Sequence, residues 1–257
     1  MGVKRRGVLV GLAMLGSIGL MGGCSLLRPA VPTYRYRLTV EVDTPQGLRT
    51  GSSVIEVATS VASKLALRPG ELSWRVRGEA VAVDLPGGKV LFALLSKPGQ
   101  AEGAYLWALS ALTDRGWRGW ANEQDYIATV KKVVERRYVA VLPRIAASSL
   151  RWWEKPRPTD PAIDYPMLVT FTDLADPKTV AKVDSDDLAA SFGPGVKLRR
   201  ITVQMTDVPV TVGIEKRLGW VKSYYDRRLD GHRYGDSALP SNLLSSGNFT
   251  TELSKYR

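Results

Sequence analysis

From Tyr34 onward the chain alternates apolar and polar residues with the period of a β-strand. Tyr34, Tyr36, Leu38, Val40 and Val42 fall on one side, and Arg35, Arg37, Thr39, Glu41 and Asp43 on the other. Thr44-Pro45-Gln46-Gly47 then places proline second and glycine fourth, as a type I turn prefers. A second strand over 48–58 follows, so 34–58 predicts a β-hairpin. Leu72, Trp74 and Val76 alternate with Ser73, Arg75 and Arg77 as a third strand. The runs AVAVDL (80–85) and KVLFALL (89–95) flank Pro86-Gly87-Gly88 and predict a second hairpin. Its second arm is almost wholly apolar, which places it inside a sheet with both faces covered.

The pattern then changes period. Residues 103–113 (GAYLWALSALT) predict a buried helix after the Pro98-Gly99 break. Asn122 caps a second helix, with Glu123 and Asp125 in its first turn, an apolar stripe of Ile127, Val130 and Val134, and Arg136 and Arg137 at its end. Residues 154–166 hold four prolines and three acids and read as a linker or long surface loop, the one place where the domain would subdivide. A strand over 167–172 follows, then a short helix capped by Asp184 or Ser185 and stopped by Gly193-Pro194. The last elements are a strand over 198–206 with Ile201, Val203 and Met205 inward, and a helix over 214–225. These elements predict an α+β fold: a mainly antiparallel sheet built from N-terminal hairpins, with helices on one face and a βαβ-like stretch late in the chain. A single compact domain spans 34–230, and 231–257, polar and rich in serine, reads as a loosely ordered tail.

Ahead of the first strand stands MGVKRRGVLVGLAMLGSIGLMGGC, a cationic start, an uncharged run and then the chain's single cysteine. That order is a secretory signal, and Leu20-Met21-Gly22-Gly23-Cys24 resembles the lipobox of bacterial lipoproteins. The resemblance implies cleavage before Cys24, lipid on Cys24, a tether over 24–33 and a periplasm-facing domain on the cell envelope. Met21 stands where leucine is usual, and Ser25 in place of aspartate favours the outer over the inner membrane. Two other readings stay open: an uncleaved anchor, although 7–23 is short of the ~20 residues of a span and rich in glycine, and an ordinary buried thiol.

Composition bounds the remainder. The chain of 257 residues is 44% hydrophobic and 24% charged, ordinary for a globular protein. Loss of 1–23 removes three basic residues and lowers the net charge from +11 to +8. Such a surface near a bilayer is drawn to anionic lipid. A cell-wall polymer or another envelope protein are the other expected partners; an exported chain has no nucleic acid to meet. With Cys24 acylated no thiol remains for a disulfide or a thiolate metal site.

Sequence motifs for catalysis are sparse. His232 is the only histidine and lies in a Gly-Asp-rich segment, where a surface position is expected. No G-x-S-x-G, S-x-x-K or G-x-x-x-x-G-K occurs, and Ser60 and Lys64 are one residue too far apart for the second of these. Gly193-Pro194-Gly195 has a proline where a phosphate loop needs an N–H. Asp173, Asp176, Asp184, Asp186 and Asp187 lack a calcium-loop pattern and read as helix and turn caps. Tryptophans and cations recur together at Trp107, Trp117, Arg118, Trp120, Arg151, Trp152, Trp153 and Lys155. Trp107 and some of the others belong in the core. The candidate ligand surface is Arg115, Trp117, Arg118 and Trp120, with Gly116 and Gly119 freeing the backbone between them. No catalytic residue, metal or cofactor is expected. The readings in order are a non-enzymatic binding or structural module, an envelope hydrolase using a carboxylate pair on glycan or lipid, and an assembly factor with an exposed sheet edge.

One more resemblance rests on LVTFTDLADPKTVAKVDSDDLAASFGPGVKLRRITVQMTDVPVTVGIEKRLGW (168–220) together with the hairpin YRYRLTVEVDTPQG. Both are similar to a family of proteobacterial proteins of unknown function. The resemblance implies an exported or envelope-associated protein and assigns no activity, ligand or catalytic residue.

Overall fold

A computed structural model describes residues 31–62, 66–97, 103–113, 120–143, 165–235 and 239–253. The first hairpin is formed by β1 (Tyr34–Thr44) and β2 (Gly47–Val61), paired in register from Tyr34–Val57 to Thr44–Gly47. Gly47 closes the turn at φ 105°, a left-handed conformation that costs other residues. With β3 (Leu72–Arg77), β6 (Ala140–Val141) and β9 (Lys197–Met205) the hairpin builds an antiparallel sheet in the order β3-β2-β1-β9-β6. The apolar residues of β1, Tyr34 to Val42, are all buried. Its polar side carries cross-strand ion pairs: Arg35 lies opposite Glu56 and meets it at 2.6 Å, and Glu41 lies opposite Arg200 at 2.9 Å.

The second hairpin enters a separate antiparallel sheet. β4 (Val81–Asp84), β5 (Val90–Ala93), β7 (Leu168–Phe171) and β8 (Val180–Lys182) run in the order β4-β5-β7-β8. β5 is interior, as its apolar run predicts, and its alternation feeds two cores. Leu91, Ala93 and Leu95 join β1, β9 and the helices, while Val90, Phe92 and Leu94 join Val169, Phe171, Trp220 and Phe249. Each fully buried leucine or phenylalanine is worth ~1.5–3 kcal/mol of transfer free energy. The sheets meet where β2 crosses β4, and a Cβ on Gly51 would overlap the Ala82 carbonyl.

Helices α1 (Ala104–Leu112) and α2 (Glu123–Val134) cover the apolar face of the five-stranded sheet. The Asn122 side chain accepts the Asp125 N–H at 3.0 Å, the cap that the sequence predicts. Tyr34 and Tyr36 pass hydrogen bonds from the sheet to the Tyr105 and Ala104 carbonyls of α1, and burial raises both phenol pKa values well above the ordinary range.

Several expectations are corrected. The two hairpins belong to different sheets, and β9 crosses from the β7–β8 pair to lie antiparallel to β1, so no parallel βαβ unit forms. The cap of α3 (Leu188–Phe192) is Asp187, whose carboxylate accepts the Ala190 N–H at 3.1 Å; Asp184 instead closes a turn onto the Asp186 N–H at 2.9 Å. Burial of Leu188 decides this, because it fixes the first helical residue. The helix expected over 214–225 is two 3-10 segments, Ile214–Lys216 and Gly219–Tyr224. Residues 239–253 are not a loose tail: after α4 (Pro240–Leu243), Leu244 and Phe249 are buried, and the Phe249 carbonyl accepts the Ala80 N–H at 2.7 Å. Phe92, Phe171 and Trp220 supply the aromatic contacts that order it. Residues 1–23, Cys24 and most of 154–166 lie outside the described residues.

Candidate functional site

Of the surface expected to bind a ligand, Arg115, Trp117 and Arg118 lie outside the described residues. Trp120 is half-buried and stands edge-on to Tyr126, with ring centres 4.8 Å apart. Its indole nitrogen is enclosed without a hydrogen-bond partner, so this tryptophan belongs to the rim of the core. Trp107 is core at 2% exposure. His232 sits on the surface, 3.2 Å from Asp230. The aspartates of 173–187 act locally: Asp173 accepts the Ala175 N–H and Asp176 the Lys178 N–H, like Asp184 and Asp187 above. Among the described residues no group of three or more His, Cys, Asp or Glu gathers as a metal site.

The chain instead forms a cavity at the end of β5. Past Ala93 the chain leaves the strand as Leu94-Leu95-Ser96-Lys97, held by Leu94 N–H to the Met167 carbonyl, Leu95 N–H to the Asn248 carbonyl and Met167 N–H to the Ser96 carbonyl, each at 2.9 Å. These bonds bring three distant segments around a space of about 460 Å³. Val76, Leu95, Met167 and Leu244 supply apolar wall, and Ser96, Lys97, Arg228, Ser245, Asn248 and Thr251 supply polar groups. A cavity of this size, apolar with a few convergent polar groups, is of the kind that takes small molecules.

Each polar group is placed by the fold. Ser96 is 1% exposed and its hydroxyl has no hydrogen-bond partner. Enclosing a hydroxyl in this way costs about 1–3 kcal/mol, which marks the position as one in want of a partner. Lys97 is buried too, its stem lying across Gly103, where a Cβ would overlap its Cγ. Gly103 and Ala104 both donate their N–H to the Leu95 carbonyl, pinning the start of α1 to this wall. Arg228 is held by its own N–H to the His232 carbonyl at 2.7 Å and by one guanidinium nitrogen to the Leu243 carbonyl at 2.8 Å. A guanidinium has five N–H donors, so others remain for a ligand.

A serine beside a lysine suggests a nucleophile and its base, but such a pair requires a hydrogen bond between them, and the Ser96 hydroxyl makes none. No described residue lining the cavity carries a carboxylate. A second, more open groove lies where the chain enters β1, lined by Arg35, Glu56, Arg137 and Asp207. Two ion pairs form there: Glu56 meets Arg35 at 2.6 Å and Asp207 meets Arg137 at 3.7 Å, and Glu135 lines the same groove.

Sequence reading passed over Ser96, Lys97 and Arg228. The available signal was the abrupt Ser-Lys end of the run KVLFALLSK, where a strand covered on both faces meets two polar residues. Arg228, 131 positions further on, has no sequence link to them. Comparison of the chain with family models, curated proteins and solved structures finds no match in any of the three.

Proposed function

We propose that this protein is a lipid-anchored binding module of the bacterial cell envelope, tethered through Cys24 and facing the periplasm. The observation that carries the reading is the order of cationic start, apolar run and single cysteine in the first 24 residues. The fold is consistent with it: β1 begins ten positions after Cys24, and no helix among the described residues is long and apolar enough to cross a membrane. Binding rather than turnover is supported by the cavity, where the Ser96 hydroxyl makes no hydrogen bond that would pair it with a base.

Growth with labelled palmitate, followed by membrane fractionation of wild type and Cys24→Ala, tests the tether. Label on the wild type alone, with the variant shifted out of the membrane fraction, is the expected result. Unlabelled wild type overturns it. A second reading, a partner strand added at the edge strand β6, draws on Tyr138, Val139 and Val141, each more than half exposed there. Envelope crosslinking through a photoreactive residue at Val141 tests that reading, and absence of a discrete adduct removes it.

A further inference from the structure

We infer that the tip of the β2–β3 hairpin rests on the bilayer that holds Cys24, with the Leu67 side chain inserted among the phospholipids of its surface. This rests on the tether of the proposed function and names the end of the domain that the tether turns toward the membrane. The first observation is the tether's reach. Val31 packs against the larger core, so the chain is already fixed to the domain at that residue. Seven residue steps separate Val31 from Cys24, and a fully extended chain spans at most ~3.6 Å per residue. Whatever course residues 25–30 take, Val31 stays within about 25 Å of the acylated sulfur.

The second observation is what projects at that end. Tyr34, the first residue of β1, lies opposite Val57 of β2, yet β2 and β3 go on pairing to Val61 and Leu72. The Ala62 N–H donates to the Glu71 carbonyl at 2.8 Å and the Gly70 N–H to the Ala62 carbonyl at 3.2 Å, which carries the ladder further. Four steps from Val57 to Val61, at ~3.3 Å each, put the tip at least about 13 Å beyond the start of β1. That overhang is shorter than the tether, so a domain standing on this tip keeps Cys24 at the bilayer. The finger is also braced. Thr59 of β2 and Trp74 of β3 both bond to the Tyr126 hydroxyl of α2, and Gly70 lies against the Glu123 carboxylate.

The third observation is the side chain presented there. Leu67 is 105% exposed, the most exposed large apolar residue among those described. A leucine held out on a braced projection gains by leaving water, and its burial favours the docked state about tenfold or more. Beside it Arg68 pairs with Glu71 at 3.5 Å, so the contact is apolar and needs no anionic lipid.

The test reconstitutes the protein, purified from membranes, into phosphatidylcholine vesicles that include lipid with a nitroxide on the acyl chain. An environment-sensitive fluorophore is attached through Ala66→Cys at the tip or Gln46→Cys in the β1–β2 turn, about 35 Å away at ~3.3 Å per residue of β1. The tip probe shifts to the blue and is quenched; the turn probe does neither. Leu67→Glu in the Ala66→Cys background weakens docking about tenfold or more and leaves the melting temperature unchanged, because the side chain lies in solvent. Equal quenching at the two sites, or a response unchanged by Leu67→Glu, overturns the inference. A blue shift without quenching that fades as the protein is diluted in lipid assigns the tip to a second copy of the chain and overturns it too. Flotation with the vesicles reads the tether separately: protein that floats with no contrast between the probes removes this contact alone, and protein that does not float removes both.

Discussion

Glu79 accepts the backbone N–H of Ile214 at 2.9 Å, and its other carboxylate oxygen accepts that of Gly213 at 2.8 Å. The side chain is 3% exposed and ties the turn after β3 to the strap that runs from β9 to the 3-10 segments. Thr211 extends the same strap along β2, exchanging hydrogen bonds with Val54 where β3 has ended. Removing the carboxylate strands two N–H groups, so Glu79→Ala is expected to lower stability by about 2–4 kcal/mol in urea unfolding.

The same residue has a pH signature. Burial raises the Glu79 pKa above that of an ordinary glutamate, against the opposing pull of its two backbone N–H bonds. The folded state therefore binds this proton more tightly than the unfolded chain, and its contribution to stability falls as pH rises from the unfolded value, about 4.3, through the raised one. Unfolding free energies of wild type and Glu79→Gln measured across acid pH should differ by a curve with that downward slope. A flat difference would show the carboxylate to be ordinary.

How far this architecture is legible in sequence depends on the range of the forces that set it. The β1–β2 hairpin and the Asn122 cap are visible because their causes lie within a few residues: alternation, a Pro-Gly turn, an oxygen three positions from its N–H. The cap of α3 misleads because four acidic or hydroxyl residues in a row offer equivalent caps, and only the burial of Leu188 chooses. The junction of the two sheets brings Gly51 against Ala82, a contact between strands that leave no joint pattern in sequence. The cavity is the extreme case, assembled from 76, 95–97, 228 and 243–251 by backbone bonds between segments far apart in the chain.

Tyr126 is fully buried, and its hydroxyl is shared by the Trp74 indole N–H at 3.0 Å and the Thr59 hydroxyl at 2.7 Å. Trp74 in turn stacks on Tyr105 with ring centres 4.4 Å apart, so the cluster joins β2, β3, α1 and α2. Tyr126→Phe keeps the ring and deprives both neighbours of their partner. A loss of about 1–3 kcal/mol is expected, with a change in tryptophan emission that Thr59→Ala reproduces only in part.

Asp230 carries the opposite pH sign to Glu79. The Asn242 amide donates to it at 2.5 Å and the His232 N–H at 2.9 Å, and these bonds lower its pKa to about 2. Its contribution is present above the unfolded value, about 3.9, and is lost as pH falls through about 2. Melting temperatures of wild type and Asp230→Asn should therefore converge toward pH 2 and separate above pH 4. Parallel profiles would remove Asp230 from the acid response.

Gly51 provides a steric test of how the sheets join. A methyl group there meets the Ala82 carbonyl, a backbone atom that cannot move without shifting β4. Gly51→Ala is expected to cost ~3 kcal/mol or more, whereas Ala82 side-chain variants keep the junction. Circular dichroism during thermal unfolding reads the difference, and a Gly51→Ala protein as stable as wild type would mean that the sheets are not pressed together at this point.

The order of the C-terminal segment is tested at Phe249. Its ring is fully buried among Phe92, Phe171 and Trp220, with centre distances of 6.0, 5.8 and 5.5 Å. Its carbonyl holds Ala80, and its neighbour Asn248 holds Leu95 beside Ser96, so the ring also anchors one wall of the cavity. Phe249→Ala should cost about 3–5 kcal/mol and speed proteolysis in the segment after Leu239. Tyr234→Ala, at a residue 83% exposed and nearby in sequence, should change stability by less than about 0.5 kcal/mol. If Phe249→Ala were equally silent, the last two turns would not be part of the cooperative fold, and the cavity would lose the wall that Leu244 and Asn248 give it.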